Sequence, residues 1–243
     1  MKKTMVFALV ICMLIGFTGV ARAESVNSVN EAFSVEQMDQ IASSGIDQRS
    51  DYLKQNTQIK VVTNTAQNTR ISGQKWVQKS EPRVATVLTQ RKETQEGVEE
   101  TYTTIAAIDY QGKQTESDSQ SKQSMTVYVY ITYDYKFEDG YANAFTRFNK
   151  TQHKMVVHSS ALKATALRME YNAWSRANLD ENSDERRIPN PVSNRIYSFT
   201  AGPAADWWYI NEAVYMASTS GYTSDGEVGF IELEITPGAA DLQ

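Results

Sequence analysis

Between residues 125 and 137 the chain alternates apolar and polar side chains without a break. Val127, Val129, Ile131, Tyr133, Tyr135 and Phe137 fall on one side, and Thr126, Tyr128, Tyr130, Thr132, Asp134 and Lys136 on the other. A helix would scatter both sets around its axis. An extended strand, with its period of two, separates them. The segment therefore predicts a long strand with one greasy face turned to a core.

The same period recurs along the chain. Ile59, Val61 and Thr63 alternate with polar neighbours, and residues 83–89 form a β-branched run. Tyr102, Thr104, Ala106, Ile108 and Tyr110 share one face. Further strands are expected within 153–171, 195–200, 207–217 and 227–236. Asp139-Gly140, Gly202-Pro203, Asp225-Gly226 and Pro237-Gly238 punctuate them as turns. About eight to ten strands follow from this spacing. The fold class is mainly β: an antiparallel β-sandwich or half-open barrel with a short N-terminal helical segment. That segment begins at Ser34, which has capping-box spacing to Gln37, while Phe33 and Met38 match a hydrophobic staple. Val35, Met38, Ile41 and Ala42 form one helical face and Gly45 ends it. A second short helix is expected over 47–55.

The first 23 residues read differently. Lys2 and Lys3 precede an apolar run over 7–17, and Ala21 and Ala23 are small residues at signal-peptidase spacing. Cleavage is expected near Ala23-Glu24, which makes the protein secreted or extracellular and bacterial in character. The organisation is then 1–23 signal peptide, 24–57 polar leader and helical segment, 58–237 β-rich domain, and 238–243 polar tail. Cys12, the only cysteine, leaves with the signal, so the mature protein has no disulfide or thiol chemistry. Removing Lys2, Lys3 and Arg22 from 24 basic residues leaves 21 against 29 acidic, a net charge of −8. An acidic surface suits solubility and disfavours phosphate backbones, so nucleic acid is not expected as a partner. No further apolar stretch has membrane-spanning length.

Motifs for catalysis are sparse. Ser119-x-x-Lys122 and Ser160-x-x-Lys163 lie where no helix is expected to bring amine to hydroxyl. His153 and His158 are five apart, which places them on opposite faces of a strand. Asp180, Asn182 and Asp184, in an acidic loop expected over 178–194, start like a calcium loop, and calcium is the metal they would take. No glycine follows Asp184 to give the sharp turn such a loop needs, and Arg186 brings positive charge instead.

Aromatic residues are the surplus. Trp207, Trp208 and Tyr209 are consecutive, and Trp174 follows another strand. An exposed indole offers a platform for a sugar ring or a partner surface. The expected function is a secreted, non-enzymatic binding or surface-interaction protein. It would recognise a glycan or cell-surface ligand through Trp174, Trp207, Trp208 and Tyr209 with the acidic loop. One alternative is a membrane-active protein using the amphipathic hairpin 101–137, which resembles secreted β-pore-forming toxins of the aerolysin kind in pattern alone. Another is a secreted hydrolase whose carboxylates come from distant strands.

Overall fold

The computed structural model describes residues 35–65, 75–113, 124–138, 143–158, 165–175, 180–200, 207–210, 214–223 and 227–237. Two helices lead, α1 (Val35–Ser44) and α2 (Asp51–Asn56). Then come β1 (Thr57–Thr65), β2 (Lys75–Gln78), β3 (Arg83–Thr94), β4 (Gly97–Lys113), β5 (Ser124–Glu138) and β6 (Asn143–Val157). The chain continues with β7 (Ala166–Ser175), β8 (Asp180–Pro189), β9 (Ile196–Thr200), β10 (Trp208–Tyr209), β11 (Val214–Thr223) and β12 (Glu227–Pro237).

The strands form two antiparallel sheets facing each other, the mainly β sandwich that the period-two pattern demands. The small sheet runs β1-β12-β11-β7-β8. The large sheet has β4, β5 and β6 at its centre. β2 and β3 lie end to end along β4, and β9 and β10 lie end to end along β6. These divided edges, together with β8, raise the strand number above the eight to ten expected. The meander β3-β4-β5-β6 is local. The β1–β12 pairing joins the first strand to the last, with Thr57 opposite Pro237.

The inner faces supply the core. Val127, Val129 and Ile131 of β5 are fully buried against Leu167, Leu233 and Ile235 of the small sheet's strands. An aromatic cluster fills one end. Tyr133 and Tyr135 meet edge to face at 5.5 Å, and Tyr102 stacks on Tyr133 at 6.2 Å. Buried hydroxyls need partners, and here they have them. Tyr102 donates to Glu100 at 2.7 Å, Tyr133 bonds Thr104 at 3.0 Å and Tyr135 bonds Thr57 at 2.8 Å. Burial pushes the Tyr133 hydroxyl up to about 12 and Tyr135 well above its ordinary value.

The polar face of β5 is buried too. α1 lies across the outer face of the large sheet, where Ile41 and Ala42 pack with Ala85, Val87, Ile105 and Ala107 over Tyr128 and Tyr130. The molecule thus has three layers at this point: small sheet, large sheet, helix. Hydroxyls, an amide and one ion pair satisfy each other on the same face of the large sheet. Thr103 bonds Thr132 at 3.0 Å. Asp134 accepts from Thr101 at 2.7 Å, Asn149 at 2.9 Å and Arg147 at 2.6 Å.

Gly45 ends α1 in the left-handed region at φ +62, as a helix-terminating glycine should. The chain then pairs with β3: Thr86 N donates to Ile46 O at 2.7 Å, and Gln48 N to Thr86 O at 2.9 Å. Ser50 caps α2 by accepting from Leu53 N. Ser34, Phe33 and the signal segment lie outside the described residues, as do 114–123 between β4 and β5.

Candidate functional site

The site is built on β7. Leu167, Met169, Tyr171 and Ala173 point into the core, so Arg168, Glu170, Asn172 and Trp174 point out. Trp174 is 36% exposed, and with Val192 it is one of two exposed large apolar residues among those described. Its cross-strand partners are Tyr215 on β11 and Glu181 on β8. The surrounding outer face is charged. Glu170 and Glu185 sit directly opposite each other, a repulsive placement. Arg168 relieves it by pairing with Glu185 at 2.7 Å and Glu170 at 3.3 Å. Lys60 of β1 pairs with Glu234 of β12 at 3.0 Å.

The other tryptophans stand elsewhere. Trp208 is in the core, and its indole N–H is buried with no hydrogen-bond partner among the described residues. Trp207 is half-buried on the opposite outer face, that of the large sheet, under the Arg147 guanidinium at 4.5 Å. Asp134 holds that guanidinium from below. Tyr209 pairs with Phe145 in the ladder. The three indoles, expected on one surface, stand apart. Adjacent strand residues alternate in direction, and β7 and β10 belong to different sheets.

The acidic loop expected over 178–194 is a correction: residues 180–189 form strand β8. A polar sequence can form an edge strand because backbone groups, here those of β7, make the ladder. Asp180, Asn182 and Asp184 stand opposite Ser175, Ala173 and Tyr171. At about 3.3 Å per residue, the outer two are roughly 13 Å apart along the strand. A calcium ion gathers its oxygens at about 2.4 Å from one point, a geometry an extended strand opposes. Asp184 instead pairs with Arg186 at 3.2 Å, and Arg186 lies over the Phe199 ring at 4.5 Å. Among the described residues no group of three or more His, Cys, Asp or Glu side chains is placed to hold a metal.

Two imidazole clusters occur, one on each face of the large sheet, as the five-residue spacing requires. His153 is fully buried between the sheets with Thr151 of β6 and Ser218 of β11. The two hydroxyls bond each other, and Thr151 also donates to Tyr130 O at 2.8 Å. Burial lowers the His153 imidazole to about 3, so it is neutral at ordinary pH. No substrate reaches a fully buried hydroxyl, and this cluster ties the sheets together. On the outer face, Thr126 donates to Asp109 at 2.7 Å and is bonded by His158 Nε2 at 2.7 Å. A catalytic triad puts its carboxylate on the imidazole. Here the carboxylate is on the hydroxyl.

An open cleft of about 400 Å³ lies between the β1 and β3 edges, lined by Ile46, Arg49, Ile59, Val61 and Val84 among others. Arg49 is committed within it, bonding Asp47 at 2.7 Å and donating to Thr57 O at 2.9 Å. The hairpin 101–137 forms the two strands β4 and β5 at the centre of the large sheet. Among the described residues no helix is long and apolar enough to cross a membrane. No protein-family model, curated protein or solved structure matches this chain.

Proposed function

We propose that this is a secreted, non-enzymatic binding protein that meets a glycan on a cell surface with the outer face of its small sheet. The observation that carries the reading is Trp174. A large indole stands exposed on a pleated surface that also carries the Arg168–Glu185 and Lys60–Glu234 pairs. Its flat apolar ring suits stacking against a sugar, and the neighbouring carboxylates suit the hydroxyls. The segment 1–23 supports the extracellular address. β8, which borders Trp174, is the acidic stretch expected on the same surface.

The test is retention on insoluble polysaccharides and isolated cell walls. Wild type and a Trp207→Ala control should be retained alike, while Trp174→Ala should bind about tenfold more weakly, near 1.4 kcal/mol. Equal retention of Trp174→Ala and wild type on every matrix would overturn the proposal.

A further inference from the structure

We propose that the face of the large sheet beneath α1 is a second ligand site, for a carboxylate-bearing sugar, and that Asp39 of α1 occupies it in the closed protein. Tyr128 and Tyr130 lie side by side there, with rings nearly parallel and centroids 6.1 Å apart. Two positions apart on β5, they make a flat aromatic floor. Lys154 is fully buried at its edge, with Nζ 4.1 Å from the Tyr128 centroid. A desolvated ammonium over a ring is a strong cation–π contact, and it calls for a negative charge nearby. α1 brings one in Asp39.

The groups facing Asp39 come from several elements. Lys154 of β6, Arg83 of β3 and His158 after β6 favour its ionised form, and Asp109 of β4 opposes it. Arg83 also pairs with Asp109 at 3.2 Å. Burial outweighs the cations and raises the Asp39 carboxyl above its ordinary value. One Asp39 oxygen, Oδ1, is buried with no hydrogen-bond partner among the described residues. A carboxylate serving only to fasten a helix is expected to have both oxygens bonded. One that stands among cations without completing its bonds fills the place of a better acceptor.

Ile41 and Ala42 are the buried apolar side chains of α1 among those described, and Gly45 ends the helix. A helix this short does not persist once it leaves the sheet. A uronic-acid residue would offer a carboxylate to Lys154 and a ring face to Tyr128 and Tyr130, in place of the Asp39 charge and the apolar cover that α1 supplies. This face is on the far side of the sandwich from Trp174, so the two sites are separable.

Calorimetric titration with trigalacturonate, and with neutral trigalactose as control, tests the proposal. Asp39→Asn should bind the uronate about tenfold more tightly than wild type. It should bind the neutral sugar no better, and Trp174→Ala should leave both results unchanged. In wild type, millimolar trigalacturonate should accelerate amide exchange over residues 35–44. An Asp39→Asn protein that gains no uronate affinity, or wild-type α1 exchange unaltered by the sugar, would mean that Asp39 only anchors the helix.

Discussion

A Gly97→Ala variant is expected to lose about 3 kcal/mol of folding stability, a large part of what a domain has. Gly97 opens β4 at φ +145, a conformation that L side chains rarely adopt. A Cβ there would stand 1.9 Å from the Phe137 carbonyl oxygen and 2.9 Å from its carbon. Both are backbone atoms of β5, so no side-chain rotation relieves the clash. The β4–β5 ladder, which starts at Val98 opposite Phe137, would have to spread at that end. Gly45→Ala supplies the contrast. Gly45 also has positive φ, at +62, but a Cβ there meets nothing within 4 Å. Its expected cost is about 1 kcal/mol, the backbone strain alone. Urea unfolding of both variants measures the difference. Equal losses would show that β5 does not approach the β3–β4 turn so closely.

Acid is expected to destabilise the protein through His153. The imidazole ordinarily titrates near 6.5 and is lowered to about 3 in the fold by burial. Between those values the unfolded chain binds a proton that the native protein refuses. Stability from this group is therefore complete above about pH 6.5 and is lost progressively as pH falls toward 3. At pH 5 the loss is about 2 kcal/mol, and near pH 3 it reaches about 4 to 5 kcal/mol. Carboxylates titrate in part of the same window, so the comparison must be with His153→Gln, which keeps a polar group beside Thr151 and Ser218. Unfolding free energies at pH 7, 6, 5 and 4 should fall more steeply for wild type than for the variant. Parallel curves would mean that the sheets are not held around a neutral, dry imidazole.

Much of this architecture is legible in the amino acids, and the exceptions have physical causes. The alternation in β5 is plain because one face is nearly all aliphatic and aromatic. Gly45 is legible as a helix end because positive φ favours glycine. The burial of Thr126, Tyr128, Tyr130 and Thr132 is not legible. Threonine and tyrosine serve equally on a wet face or a dry one, and only α1, distant in sequence, decides. β8 is hidden for a related reason. Its side chains are those of a loop, while its strand character comes from the backbone of β7. The β1–β12 pairing joins residues at opposite ends of the domain and leaves no local trace.

The candidate site was legible only in part. Trp174 is exposed on β7 itself, whereas the sequence pattern ends the strand before it. Trp208 and Trp207 obey strand alternation, one inward and one outward, yet which sheet each joins depends on long-range pairing. Asp39 carries no signal in the sequence, since a single acid on an amphipathic helix is ordinary. Only the convergence of Lys154, Arg83 and His158 gives it meaning.

The placement of β4 and β5 at the centre of the molecule decides whether the hairpin 101–137 is scaffold or a detachable arm. Native-state hydrogen exchange across a denaturant series tests this directly. Amides of Val127, Val129 and Ile131, buried on both sides of the sheet, should open only with global unfolding, together with their β4 and β6 partners. Opening of 101–137 as a unit, several kcal/mol below the global unfolding energy, would contradict the three-layered fold and make the hairpin the moving part.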